Sequence, residues 1–399
     1  MKVANTMEIR LQNAFYIINE IECNPGITNT EIAQKRGLSV PTISNIMNIL
    51  KGSDIVMTTG TGESSGGRRP VQLSLNPEYQ YSIGVSIARH TVYVLLIDFE
   101  GHIHEKEKHY IQFVENEEYW RQIDSLIKGM QERAPIPCGV GLALPGFVDY
   151  EQKVISDTYT LGVPEVSLES IYRILGEHVA IGDSCRLAAM AQVFANTNVE
   201  DNFFILLSRR VSGILIHDRS FFSLKVSSLD IGSMIIEPDK KKLTYESSGS
   251  LLGLCSASTI IEILKKNFPI SSYEELFEEI DKGSLVYEKL WDSYLHHLAI
   301  AIYNIYAIFK VDIVIGGEMA KYIEPYTEKL NDFISALSPE SGQTIRIHCS
   351  IYGDYDDAYG AALETRSLCL HKMLPELFKN SVAAVPARKK DVKRKSVKK

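Results

Sequence analysis

Residues 28–50 constrain this chain more tightly than any other stretch. Thr28-Asn29-Thr30-Glu31 has the Thr-x-x-Glu spacing of a capping box, which predicts a helix start. That helix carries Ile32 and Ala33 and stops near Gly37. Ser39 then offers an N-cap for a second helix, with Pro41 in the first turn, where its missing N–H costs nothing. Ile43, Ile46, Met47 and Leu50 fall at i, i+3, i+4 and i+7 and predict one buried stripe. The outward positions are Thr42, Ser44, Asn45 and Asn48, short uncharged hydrogen-bonding side chains suited to base edges in a major groove. Two short helices around a tight turn make a helix-turn-helix.

An extended run opens at Asp54-Ile55-Val56-Met57, and Val71-Gln72-Leu73-Ser74-Leu75 alternates like its return strand. The glycine-rich stretch 60–67 between them reads as a wing. Its end, Gly66-Gly67-Arg68-Arg69-Pro70, pairs flexible glycines with two guanidinium groups able to enter a narrow minor groove. The DNA-contact set is therefore Ser39, Pro41, Thr42, Ser44, Asn45, Asn48, Lys51, Arg68 and Arg69. The plainer alternative is a helical scaffold with a basic surface loop. The formal net charge of −8 does not oppose the DNA reading once it is divided along the chain. Residues 1–70 sum to +1 and 386–399 to +7, leaving −16 on 71–385. A large acidic body is repelled by phosphate, so DNA contact stays with the head.

The remaining chain is long enough, at 45% hydrophobic, for further globular domains. Six scattered cysteines (Cys23, Cys138, Cys185, Cys255, Cys349 and Cys369) without a Cys-x-x-Cys pair predict reduced, mostly buried thiols in a cytoplasmic protein. No apolar run reaches membrane-span length, and no membrane contact is expected. A first helix is predicted over 7–23. Strand-like runs at 81–88, 91–99 and 103–111 precede a helix over 117–132, strands at 139–144 and 179–181, and a helix over 184–195. Strands at 203–208 and 214–217, helices over 257–267 and 285–309, and a strand at 312–315 repeat that theme. The result is an α/β body of two similar lobes.

Gly141-Leu142-Ala143-Leu144-Pro145-Gly146-Phe147-Val148-Asp149 resembles the G-x-x-x-P-G-x-V-D segment of the ROK family of repressors and sugar kinases. Ile181-Gly182-Asp183-Ser184, Gly316-Gly317, Gly353 and Gly360-Ala361-Ala362 match further family motifs in order, and the Gly-Gly-Arg-Arg segment resembles the linker of ROK repressors. The resemblance implies an actin-like, sugar-kinase-type (RNase H-like) body behind an N-terminal winged helix-turn-helix. Within it, Asp183 matches the catalytic base that also bonds a sugar hydroxyl. Asp230-Ile231-Gly232-Ser233 stands where the family has Glu-x-Gly-His, so Asp230 and Ser233 complete the implied ligand set. From the residues alone, Asp183 reads equally as a helix N-cap, and Asp230 reads more readily as a surface turn residue than as a ligand contact. The family's first phosphate loop is matched by 84–89, with Ser86 for the acid and Ala88 for a glycine. The second is matched by 207–213, where Leu207, Arg209 and Val211 replace glycines and fill the approach to a triphosphate. Adjacent Arg209 and Arg210 read as an anion site or as solvated charges. The zinc-ligand offsets fall on Ser233, Leu243, Tyr245 and Ser250, none of which binds zinc well.

These features predict a winged helix-turn-helix head over 1–76, a two-lobed ROK-type ligand-sensing and oligomerisation body over 77–375, and a basic disordered tail over 376–399. The expected function is a transcriptional regulator, a repressor of carbohydrate-related genes, with no enzymatic activity, cofactor or metal. Its partners are double-stranded DNA, a sugar or sugar-phosphate effector, and further copies of itself in a homodimer or higher homo-oligomer. The alternatives are a body that serves only for dimerisation or protein docking, and an active ROK sugar kinase.

Overall fold

The computed structural model describes residues 6–61, 71–136, 138–195, 201–218, 220–221, 228–237, 249–337 and 345–383. The chain divides into two compact units, 1–79 with 367–399, and 80–366.

The first unit begins with α1 (Thr6–Cys23), α2 (Asn29–Arg36) and α3 (Val40–Gly52). The capping box forms as expected: Thr28 N–H donates to Glu31 Oε2 at 2.8 Å and Glu31 N–H to Thr28 Oγ1 at 3.4 Å. Gly37 ends α2 in the left-handed region at φ 68°, the conformation that favours glycine. Strands β1 (Val56–Thr61) and β2 (Val71–Leu75) pair antiparallel, Val56 opposite Leu75. The run begins two residues later than expected because Asp54 turns through the left-handed region at φ 59°. Leu73 also exchanges backbone hydrogen bonds with Gly26 and Ile27, so the α1–α2 connection forms a third arm of this small sheet.

The second unit contains two five-stranded sheets of the same design. The first is built from β3 (Tyr81–Ile87), β4 (Val92–Ile97), β5 (Ile103–His109), β6 (Cys138–Leu144) and β10 (Ala180–Asp183), with α4 (Glu117–Gln131) between β5 and β6. Between β6 and β10 stand a three-stranded sheet of β7 (Phe147–Asp149), β8 (Val154–Ser156) and β9 (Glu165–Ser167), and α5 (Leu168–Leu175). The helix α6 (Ser184–Ala195) then leads to the second sheet: β11 (Asn202–Leu207), β12 (Val211–His217), β13 (Ser220–Phe221), β14 (Asp312–Gly316) and β15 (Ile347–Cys349). The strand orders are β10-β6-β3-β4-β5 and β15-β14-β11-β12-β13. In each, the first strand in sequence is central, its hairpin partner antiparallel and its other neighbour parallel. The expected repeat is thus present at the level of topology.

The second half carries α7 (Leu251–Cys255), α8 (Ala257–Asn267), α9 (Tyr273–Asp281) and α10 (Leu285–Phe309) before β14, then α11 (Ala320–Ile323) and α12 (Thr327–Leu337) before β15. Trp291, Tyr294, Leu295 and Leu298 on α10 are buried in the core of this half. Two helices pack at van der Waals contact with backbone. A Cβ at Gly84 would stand 1.8 Å from the carbonyl oxygen of Ala358, and one at Gly360 would stand 1.7 Å from that of Leu187. Only glycine permits those approaches.

The last helix, α13 (Asp356–Ala383), corrects one expectation. Its first part, to Arg366, belongs to the body, and from Ser367 it belongs to the first unit. There Leu374 and Phe378 are fully buried, His371 stacks on Phe15 at 4.3 Å, and Arg10 stands over the Phe378 ring at 5.4 Å. Residues 376–383, expected as tail, are therefore helix, and Phe378 among them is buried in a core. The basic run 388–399 lies outside the described residues. Among the described side chains Cys185 and Cys255 are buried, but Cys23, Cys349 and Cys369 are only half-buried, fewer buried thiols than expected. Among the described residues no helix is long and apolar enough to cross a membrane.

Candidate functional site

In the first unit, α3 presents two opposed faces. Ile43, Ile46, Met47 and Leu50 are all buried, as the periodicity predicts. Asn45 and Asn48 are exposed, and Ser44 is half-buried on the same side. Ser39 and Pro41 are exposed as well, but Ser39 has a structural task. Its Oγ accepts from Thr42 N–H at 3.3 Å and lies 2.8 Å from Thr42 Oγ1, so both hydroxyls serve the helix start. Lys51 donates to Thr58 Oγ1 at 3.1 Å, which ties the end of α3 to the wing strand. Val40, missed in the sequence reading, is 42% exposed at the first turn of α3. An apolar β-branched side chain there suits contact with a thymine methyl. Arg68 and Arg69 lie outside the described residues.

In the second unit, a cavity of about 130 Å³ opens between the two sheets. Its walls include Ser86 at the end of β3, Asp183 and Ser184 at the start of α6, Arg209 and Arg210 at the β11–β12 turn, and Glu318 after β14. Asp183 is buried, and its two oxygens act differently. Oδ1 accepts from Cys185 N–H at 2.7 Å, a helix cap, and Oδ2 accepts from Ser228 Oγ at 2.5 Å. The cap and the cavity are thus both real for this residue. Asp230 is not brought to it. Asp230 is exposed, accepts a hydrogen bond from Ser233 Oγ, and lines a neighbouring cavity of about 430 Å³. The two cavities share Thr160, Arg209 and Arg210 in their walls.

Of the zinc-ligand offsets, Ser250 caps α7 by accepting from Gly253 N–H at 3.3 Å, and Leu243 and Tyr245 lie outside the described residues.

A pair of carboxyls at the start of α13 escaped the sequence reading. Asp356 accepts from Gly317 N–H at 3.0 Å, Ser350 Oγ at 2.5 Å and Gln192 Nε2 at 3.2 Å. Asp357 accepts from Ser86 Oγ at 2.8 Å. Burial pushes Asp356 up to about 7 and Asp357 up to about 6, against hydrogen bonds that pull both down. Burial likewise raises Glu318 above the usual carboxylate range. These partners come from positions 86, 192, 317 and 350, and no local pattern marks them.

The pair predicts a pH dependence. Native carboxyls with raised pKa hold protons that the unfolded chain releases near pH 4. Stability therefore rises as pH falls from 8 towards 5, by up to about 1.4 kcal/mol per pH unit for each proton held, and the gain stops growing near pH 4. Urea unfolding at pH 8 and pH 5.5 should show a larger gain for the wild type than for Asp357→Asn, which cannot titrate. Equal gains would mean that Asp357 is ionised throughout.

Comparisons with known proteins complete this picture. The ROK family profile matches residues 82–366, and a winged helix-turn-helix DNA-binding profile matches residues 12–57. The xylose repressor of Bacillus spizizenii (strain ATCC 23059 / NRRL B-14472 / W23) is 24% identical over 372 residues, covering 90% of this chain and 96% of that protein. The DNA-binding transcriptional dual regulator NagC of Escherichia coli (strain K12) is 21% identical over 406 residues, covering 95% and 98%. Among solved structures, a ROK family transcriptional regulator described as a homologue of the E. coli MLC protein superimposes with a TM-score of 0.74. It is 19% identical and covers 93% of this chain and 99% of its own. A ROK family glucokinase from Streptomyces griseus in complex with glucose and AMPPNP has a TM-score of 0.63 at 16% identity, covering 72% and 99%.

Proposed function

The chain belongs to the ROK family, and on that premise we propose that it is a DNA-binding transcriptional repressor of carbohydrate-related genes whose body senses a sugar. The observation that carries this reading is α3. Its apolar stripe is buried, and its opposite face offers Val40, Ser44, Asn45 and Asn48. Arg68 and Arg69 on the glycine-rich wing supply the minor-groove contact. A single recognition helix reads few base pairs, so the working form is a symmetric dimer on a two-fold operator in the cytoplasm.

The sugar is held in the cavity by Asp183, with Asp230 and Ser233 on its neighbouring side. Relatives named xylose repressor and, at 21% identity, N-acetylglucosamine repressor support this class of effector. The body transfers no phosphoryl group and holds no structural zinc. Leu207 and Val211 pair directly across the β11–β12 turn, and Arg210 there is bound to Asp157, so side chains stand where a phosphate loop needs bare backbone. Sugar binding biases one arrangement of the body and thereby the affinity for operator.

Selection of genomic fragments by the purified full chain tests the reading. The expected result is a small set of fragments with a two-fold motif, released by D-xylose or another sugar. Fragments without a common motif would reject it. On the selected motif, Asn45→Ala should relax preference at one base pair by about 1–3 kcal/mol if Asn45 makes a bidentate contact with a base. An equal loss on specific and random DNA would place Asn45 on phosphate instead.

A further inference from the structure

Arg210 is clamped but not satisfied. Its Nη1 donates to Asp157 Oδ2 at 2.5 Å and to the Asp157 carbonyl oxygen at 3.0 Å. Its guanidinium stands 4.8 Å from the centre of the Phe147 ring. Asp157 and Phe147 belong to the first half of the body, whereas Arg210 sits on the β11–β12 turn of the second. A planar guanidinium held on two sides keeps little rotamer freedom to lose when it makes a further bond. Yet Nη2 is buried with no hydrogen-bond partner among the described residues. Thr160 Oγ1 is in the same condition. A buried polar atom left unpaired is costly, and a native structure retains one where something else fills it.

Position says what fills these two. Of the residues around the two cavities, Arg210 and Thr160 are among the few that line both. Two unpaired groups therefore flank the junction, one a fixed cationic donor and the other a hydroxyl that both donates and accepts. Asp183 lies in the wall on one side and Asp230 on the other. The Arg210 charge is matched by Asp157, and Arg209, which also lines both cavities, is attracted by Glu318, so the junction does not ask for an anion. It asks for neutral oxygens.

We propose that Arg210 and Thr160 are ligand-recognition residues, gripping hydroxyl or ring oxygens of a neutral polyol that straddles the two cavities. This rests on the sugar-sensing reading above and adds donors to its acceptors. It also gives binding a mechanical sense. A polyol bonded to Arg210 on the second half and to Thr160 and Asp183 on the first ties the halves together, and the Asp157–Phe147 clamp sets the donor in place beforehand.

Calorimetric titration of the full chain with D-xylose and with N-acetylglucosamine tests it, using Arg210→Lys and Thr160→Val. Lys keeps the charge but not the second arm of the fork, and Val keeps the shape of Thr. For the sugar that the wild type binds, Arg210→Lys should weaken affinity roughly 10- to 100-fold and Thr160→Val about 3- to 10-fold. Asp157→Asn loosens the clamp while leaving Nη2 in place, and should weaken binding less than Arg210→Lys. If Arg210→Lys unfolds, Thr160→Val carries the test alone. Wild-type affinity in both variants overturns the proposal while leaving sugar sensing intact. No binding by the wild type of either sugar, or of any other in a panel of pentoses, hexoses and N-acetylated hexosamines, overturns sugar sensing, and this proposal with it.

Discussion

Phe378→Ala should destabilise the first unit by about 3–5 kcal/mol, the usual cost of removing a fully buried phenyl group from a packed core. Phe378 has no exposed surface, and the Arg10 guanidinium stands 5.4 Å from its ring centre. Leu374, one turn earlier, is equally buried, so the two form an i, i+4 stripe on the last helix. Truncation leaves a cavity and removes a cation–π contact together. Thermal or urea unfolding of the full chain should show an early transition in the variant, and operator affinity should fall at temperatures where that transition has begun. Lys379→Ala, on the exposed side of the same turn, should change stability by no more than about 0.5 kcal/mol. Equal stability of Phe378→Ala and wild type would return 376–383 to the status of a solvated tail.

That expectation of a tail failed for a physical reason. Pro375 lies inside the helix, where a missing N–H and a ring clash normally stop one. Burial of Leu374 and Phe378 outweighs that cost, and no local pattern shows what they are buried against. The recognition helix is the opposite case. Its cap, its proline and its four-residue stripe are all local, so periodicity alone places it. Eight strands of the body (β3 to β6, β10 to β12 and β14) were legible to within a few residues because β-branched runs and turn glycines bound them, whereas β7, β8, β9, β13 and β15, of two or three residues each, were not. The pairing that makes the two sheets alike was legible only as a repeat in the order of elements.

The cavity divides along the same line. Asp183 was legible through a motif of consecutive residues. Asp356 and Asp357 were not, because burial rather than type defines them, and their partners at 86, 192, 317 and 350 meet only in the fold. Arg210 was seen in the sequence, but its meaning depends on Asp157 and Phe147, more than fifty positions away. At Asp183 the expected helix cap is formed, and it does not use the whole carboxylate. A carboxylate has two oxygens and about four acceptor sites, and here one oxygen serves the helix.

Asp183→Asn should cost about 1.5–3 kcal/mol of sugar affinity, roughly 10- to 100-fold, since hydrogen bonds to a charged acceptor fall in that range. The substitution is nearly isosteric. Its remaining carbonyl oxygen can keep the bond from Cys185 N–H, and its amide can turn towards Ser228, whose hydroxyl accepts as well as donates. The cap and the fold should therefore survive. What disappears is the second acceptor oxygen and the charge, and sugar hydroxyls are donors that use both. Calorimetry with the sugar that releases the wild type from its operator measures the loss, and a thermal melt of the same sample reports the cap. Wild-type affinity in the variant would remove Asp183 from the pocket. A variant that no longer folds would give Asp183 a structural role through the carboxylate charge, the one property that Asn does not reproduce while keeping the cap.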